Sequence, residues 1–190
     1  MSEKQKFPWE IAKIEAEVLV SDLAFFCSRI AVAGSVRRLK PHVSDIEIVY
    51  VAKTENRGIN GDMWAREDVD LANEQLSRMI DSGQIRRRLN IKGQTTWGDQ
   101  IKLAELAKCH IPVDFFPICE ASWFNYLVCR TGPKDSNVAI CMAAEKRGLQ
   151  WKPYSAGFMD VATMEIKPVH SEREVFETVG LPYFEPKDRK

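Results

Sequence analysis

Apolar residues recur at helical spacing near the start of the chain. Ile11, Ile14, Val18 and Phe25 follow Pro8, which suits a first turn, so the pattern predicts a helix over 8–29. The period then shortens. IAVA (30–33) reads as a short apolar strand, Gly34-Ser35 as a turn, and VRRLKPHVS (36–44) as a basic loop. DIEIVYV (45–51) alternates strictly and predicts a strand. Helical spacing returns over 62–80, with Val69, Leu76 and Ile80 on one side and Gly83 as a stop. Residues 100–106 and 109–118 predict two further strands. After Pro117, residues 120–128 and 136–147 read as short helices split by the turn TGPKD. Ser171 to Glu174 form a capping box that opens a last helix ending at Gly180. The order predicts an α+β fold: a mixed half to about residue 118, then a smaller half of short helices with a strand pair.

Composition narrows the class. The 190 residues carry 27 Lys plus Arg against 27 Asp plus Glu, with 45% hydrophobic residues. That mixture excludes a disordered tail, a fibrous repeat and a disulfide-stapled miniprotein. No apolar run is long enough to span a membrane, and the start, MSEKQKFPWE, is polar and carries no signal segment. Cys27, Cys109, Cys119, Cys129 and Cys141 form no C-x-x-C pair, so they are expected as small buried hydrophobes in a reduced, cytoplasmic compartment. The charge is segregated. Residues 54–83 hold three positive and seven negative side chains, whereas 84–108 hold six positive and two negative. Residues 129–152 hold five positive and two negative, and such basic stretches point to a local anionic partner as much as to solvated faces.

One constellation carries chemistry. In a strand, alternate residues share a face, so Asp45 and Glu47 project together while Ile46, Ile48 and Tyr50 pack on the other side. Two carboxylates on an apolar strand are costly unless a cation neutralises them, and hard divalent ions favour carboxylate oxygens. Asp114, in VDFFPI, supplies a third carboxylate from another strand. Three convergent carboxylates suit two-metal phosphoryl transfer. Gly34 permits close backbone approach to a phosphate, Ser35 can donate to it, and Arg37 and Arg38 add positive charge.

These motifs resemble the nucleotidyltransferase superfamily, and in particular the family X, polymerase beta-like DNA polymerases. AVAGSVRRLKPHVSDIEIVYV is similar to the family's palm signature, VDFFPI to its third-carboxylate strand, RTGPKDSN to its T-G-S-x-x-x-N motif, and LPYFEPKDR to its ending. The resemblance runs from Phe7 to Arg189. It implies a palm over 7–118, a mixed or antiparallel sheet with flanking helices, and a helical-plus-strand thumb over 119–190. By the same resemblance, Asp45, Glu47 and Asp114 are the catalytic and metal-binding carboxylates, holding two Mg²⁺ ions for which Mn²⁺ substitutes. Gly34, Ser35 and Arg38 fall at the nucleotide phosphates, and Thr131, Gly132 and Asn137 at its sugar and base. The motif also implies a sharp turn with a cis bond between Gly132 and Pro133.

The departures are Glu47 in place of the usual Asp, Cys129-Arg130 in place of an aromatic pair, and Cys141 in place of an Arg. They imply altered metal geometry, changed sugar discrimination and low fidelity. Neither the family's helical lyase domain nor its helix-hairpin-helix element is visible in these residues, as in minimal viral members. The resulting expectation is a monomeric, DNA-binding, Mg²⁺-dependent polymerase that adds dNMP from dNTP to primed or gapped DNA, in repair-type gap filling and away from membranes. The alternatives are nucleotidyl transfer to RNA ends, protein or a small molecule, and a catalytically dead nucleic-acid-binding module.

Overall fold

The computed structural model describes residues 5–58 and 65–189. Strand β1 (Phe7–Pro8) pairs with β3 (His42–Val43), and helix α1 (Trp9–Ala24) follows at once. Trp9 fixes the start of that helix: its amide donates to Pro41 O at 3.0 Å and its indole Nε1 to Val36 O at 2.8 Å. The helix stops at Ala24, short of the predicted 29, because β2 (Cys27–Val32) leaves to pair with β4 (Ile46–Ala52).

The helix also buries a different stripe from the one its large apolar residues predict. Ala12, Ala16, Leu19 and Leu23 are fully buried, whereas Ile11, Ile14, Val18 and Phe25 are exposed. Small residues at 12 and 16 let the helix lie close on the sheet, and branched side chains there would hold it off. Glu15 is buried on the same side and is paired with Lys108 at 2.9 Å.

The main sheet has the order β2, β4, β9 (Pro112–Pro117), β8 (Lys102–Leu106), β7 (Ile85–Arg87). Strands β4 and β9 run parallel and the other neighbours antiparallel. Between β2 and β4 the chain makes a single turn of helix, α2 (Gly34–Arg37), where a plain turn was expected. Ile46, Ile48 and Tyr50 enter the core beneath α1 with Val113 and Phe115, as strict alternation predicts.

The predicted helix over 62–80 is corrected. Residues 62–64 lie outside the described residues. Arg66–Asp70 form a strand (β6) paired with β5 (Thr54–Gly58), and the helix α3 begins only at Leu71 and runs to Asp81. Asp70 sets that boundary, its side chain accepting from Asn73 N at 2.8 Å as an N-cap.

Beyond Pro117, α4 (Trp123–Thr131) packs on the face of the sheet opposite α1, with Trp123, Tyr126 and Leu127 against Val49, Val51 and Phe116. Helix α5 (Lys134–Glu145), strands β10 (Leu149–Trp151), β11 (Gly157–Asp160) and β12 (Ile166–Pro168), and α6 (Glu172–Thr178) close a second core. The strand element is therefore a three-stranded antiparallel sheet rather than a pair. The Ser171 half of the capping box forms as predicted, its Oγ accepting from Glu174 N at 3.0 Å, while Glu174 Oε2 reaches back one residue further and accepts from His170 N at 2.6 Å. The cysteines depart from expectation, since only Cys27 is buried and Cys119 and Cys141 are exposed.

An ion network joins the two cores. Glu172, at the start of α6, accepts from Arg37 of α2 at 3.0 Å and from Arg189 at 2.9 Å. The Arg189 side chain is almost wholly buried, between the rings of Phe176 and Tyr183. Burial pushes the Glu172 carboxyl up, but Arg37 and Arg189 outweigh it and hold the group below its ordinary value. Its contribution to stability is therefore present above about pH 4.5 and is lost as the pH falls through the folded value. Removing one partner of a buried pair leaves the others uncompensated, so Glu172→Gln should lower the unfolding free energy by about 3 kcal/mol at pH 7. Urea titrations of the two proteins check this, and the gap should narrow in acid.

Candidate active site

The site is built where β4 and β9 lie parallel. Their register sets Glu47 directly beside Asp114, on the sheet face that α4 covers. Asp45 stands one residue ahead of β4, and its charge bears on both Glu47 and Asp114. Parallel pairing aligns like faces, which is how residues 67 positions apart come to share one surface.

The carboxylates are not drawn together into a chelating set: among the described residues no three His, Cys, Asp or Glu side chains are gathered around one point. Guanidiniums hold them instead. Arg88, just past β7, makes a short hydrogen bond to Asp114 Oδ1. Arg130, in the last turn of α4, lies 3.5 Å from Glu47 Oε1 with its guanidinium carbon 3.7 Å from the centre of the Phe116 ring.

The second oxygen, Glu47 Oε2, is buried with no hydrogen-bond partner. Burial, with Asp45 and Asp114 nearby, pushes the Glu47 carboxyl up to about 7 although Arg130 opposes the shift. Burial likewise pushes Asp114 above its ordinary value, against Arg88. The orphaned Glu47 oxygen, with the Asp45 and Asp114 charges near it, has the hard-oxygen chemistry that a divalent cation takes, although the three carboxylates are not gathered around one point.

Gly34 explains why the G-S motif stands here. Its φ is +62°, and a Cβ on it would fall 3.0 Å from Glu47 Cδ, so a side chain would press on the carboxylate. Ala33 N donates to Glu47 O at 2.8 Å and fixes α2 against β4. Ser35 is part-buried in the first turn of α2.

Arg38 follows α2 and makes a short hydrogen bond to the Thr131 carbonyl. Gly132 lies against it, with φ +63° and room for a Cβ only 3.3 Å from the Arg38 guanidinium. The Gly132–Pro133 peptide is cis, as the motif implies. Asn137, in the first turns of α5, turns its amide back to Cys129 O at 2.8 Å.

One assignment changes. Arg37, expected beside phosphates, is committed to Glu172 and to Thr131 Oγ1, the latter at 2.7 Å. Thr131, expected at the sugar and base, is fully buried and anchors α2 to α4 through Arg37 and Arg38. Arg88 and Arg130 are the residues that sequence reasoning missed at the carboxylates. Arg130 stood out only as a departure from the family pattern, and Arg88 only as one charge in a basic run.

Folded Glu47 binds its proton more tightly than the unfolded chain does, at about 7 against 4.5. The native state thus holds more protons between those values, and stability falls as the pH rises from 4.5 to 7 before levelling off. The full difference is on the order of 3 kcal/mol. Glu47→Gln, neutral throughout, should match wild type near pH 4.5 and exceed it in stability at pH 8. Urea titrations at the two pH values check this, and a variant less stable at pH 8 would show that the pair with Arg130 outweighs burial.

Residues 126–190 match the family model of the DNA polymerase beta thumb. The chain is 29% identical over 159 residues to the DNA polymerase/3′-5′ exonuclease PolX of Bacillus subtilis (strain 168), covering 83% of this chain and 24% of that protein. It therefore spans about a quarter of the length of that relative. Among solved structures, Leishmania infantum polymerase beta in its ternary gap complex superposes with a TM-score of 0.74 at 16% identity, over 98% of this chain and 71% of that one. The ternary P/T complex of the same protein gives 0.72 at 17% identity, over 98% and 77%. At such identity the structures speak for the fold, which is the mixed α+β fold of polymerase beta. Fold, thumb match and PolX relative agree with the order of the motifs along the chain, and in all of them the chain is similar to the family X DNA polymerases.

Proposed function

We propose that the chain, with a palm over 7–118 and a thumb over 119–190, is a Mg²⁺-dependent polymerase that adds dNMP from dNTP to a primer 3′-hydroxyl, acting as a monomer at short DNA gaps. The observation that carries this is the register of Glu47 against Asp114, beside Asp45 and under a glycine whose missing Cβ leaves room for Glu47. Asp45, Glu47 and Asp114 are the residues that would hold the ions, with Mn²⁺ as a substitute. Bound there, two divalent cations activate a hydroxyl and neutralise a triphosphate.

The chain's own groups supply the rest. Burial makes Asp114 a better proton acceptor than an ordinary aspartate, which suits it to take the proton from the primer hydroxyl, and Arg88 orients it. Gly34, Ser35 and Arg38 line the side of the site where phosphates would lie. Gly132 and Asn137 flank the turn into α5, which would receive the sugar and base, and Thr131 holds that turn to the palm. Cys141, exposed on α5, offers no charge to the template side and supports low fidelity. The reading assigns no lyase chemistry to these 190 residues.

DNA contact is assigned to the exposed arginines of β7. Arg86 and Arg87 are exposed, whereas Arg88 is held by Asp114 and Lys102 is buried with its ammonium on Gly98 O at 2.7 Å. The basic run is therefore not one patch.

On a gapped primer–template with Mg²⁺ and dNTP, Asp114→Asn should reduce extension to background while DNA affinity stays within about twofold. Equal loss of both would make Asp114 structural. Untemplated tailing, or no use of DNA by the wild type, would instead favour transfer to another acceptor. Replacing Arg86 and Arg87 together by Ala should lower the slope of log affinity against log salt by about two, one for each phosphate contact. An unchanged slope in a filter-binding series would make them solvated side chains only.

A further inference from the structure

We propose that Arg130 is the chain's own counter-cation for the carboxylate cluster: it pairs with Glu47 and competes with divalent metal for that side chain. The inference rests on the metal-dependent reading above and concerns a residue at which this chain departs from the family pattern.

The charges around Glu47 decide which cation serves it. Asp45 and Asp114 add negative charge beside it. Arg88 is committed to Asp114, and Arg38 gives its Nη1 to the Thr131 carbonyl. Arg130 is the guanidinium that reaches a Glu47 oxygen, and Phe116 carries it there: the guanidinium carbon lies over the ring, 3.7 Å from its centre. Phe116 is itself almost fully buried on β9, two residues beyond Asp114, so the platform is rigid.

The pairing is loose by design of the site. At 3.5 Å it is at the outer limit of a hydrogen bond, it engages one oxygen, and it leaves Glu47 Oε2 and Arg130 Nε buried without partners. A charge held so incompletely neutralises the cluster while remaining displaceable. A metal on Glu47 would take the oxygens that Arg130 faces and add like charge beside it, so the two cations exclude each other. The exchange is confined to the side chain, because Arg37 and Arg38 both hold the neighbouring Thr131.

The test is Mn²⁺ binding to the full chain without DNA or nucleotide, with unbound Mn²⁺ read by electron paramagnetic resonance. Arg130→Gln and Arg130→Met, which both keep a long side chain over Phe116, should bind Mn²⁺ about tenfold more tightly than wild type, the size expected from removing one nearby positive charge. In a Glu47→Gln background the same Arg130→Gln change should alter affinity by less than about twofold, because the contested ligand is gone. Thermal melts followed by circular dichroism select the variants that fold. Unchanged or weaker Mn²⁺ binding by the folded Arg130 variants would overturn the inference, as would an equal gain in the Glu47→Gln background. Failure of every protein, wild type included, to bind Mn²⁺ would instead overturn the metal-dependent reading on which the inference stands.

Discussion

The cost of holding like charges together in a partly dry space organises this molecule. Parallel pairing of β4 and β9 puts Glu47 beside Asp114, with Asp45 at the strand entrance. Nothing in that arrangement is favourable by itself, since burial and mutual repulsion both oppose ionisation. The surroundings answer the cost from three directions: Arg88 from the end of β7, Arg130 from α4, and Arg38 from the turn after α2.

The same face explains why the second core sits where it does. Helix α4 covers the Glu47 face through Trp123, Tyr126 and Leu127, and its last turn delivers both Arg130 and Thr131. Thr131 is then gripped from α2 by Arg37 through its hydroxyl and by Arg38 through its carbonyl. Arg37 continues to Glu172 and so to Arg189, which ties the end of the chain to the G-S motif. Two adjacent arginines at the end of α2 thus serve different purposes: Arg37 completes a part-buried ion network, and Arg38 lies against Gly132 beside the carboxylates. A charged pair would gain little at the surface, but here Arg189 is buried, Glu172 and Arg37 are half-buried and hydrogen-bonded, and losing one strands the rest.

Gly34 and Gly132 show how closely the backbone is drawn in. Both take positive φ, and at both a Cβ would press on a working side chain, Glu47 in one case and Arg38 in the other. These two glycines bracket the site from the two halves of the chain. Their conformations and their contacts give the same reason for glycine, which is stronger than either alone.

Local pattern determined a good deal. Strict alternation in 45–51 assigned Ile46, Ile48 and Tyr50 to the core and Glu47 to the opposite face, because side-chain period in a strand leaves no other choice. The capping box at Ser171 formed because its atoms lie within one turn of chain. The motif order was legible enough to carry the resemblance to family X, which the thumb match and the PolX relative share. What the tertiary structure alone decided is everything that depends on which face meets which. Helix α1 offers two apolar stripes, and only the sheet beneath it selects the one with Ala12 and Ala16 and leaves Ile11, Ile14 and Val18 to solvent. Residues 66–70 pair as a strand because β5 lies alongside them, a partner no local period announces. Arg37, Arg88 and Arg130 are alike in sequence as surface cations, yet Glu172, Asp114 and Glu47 claim them across separations of 26 to 135 residues. A charge pattern records only that cations are present. Which anion each one meets is fixed by strand register and helix packing, and those exist only once the chain has folded.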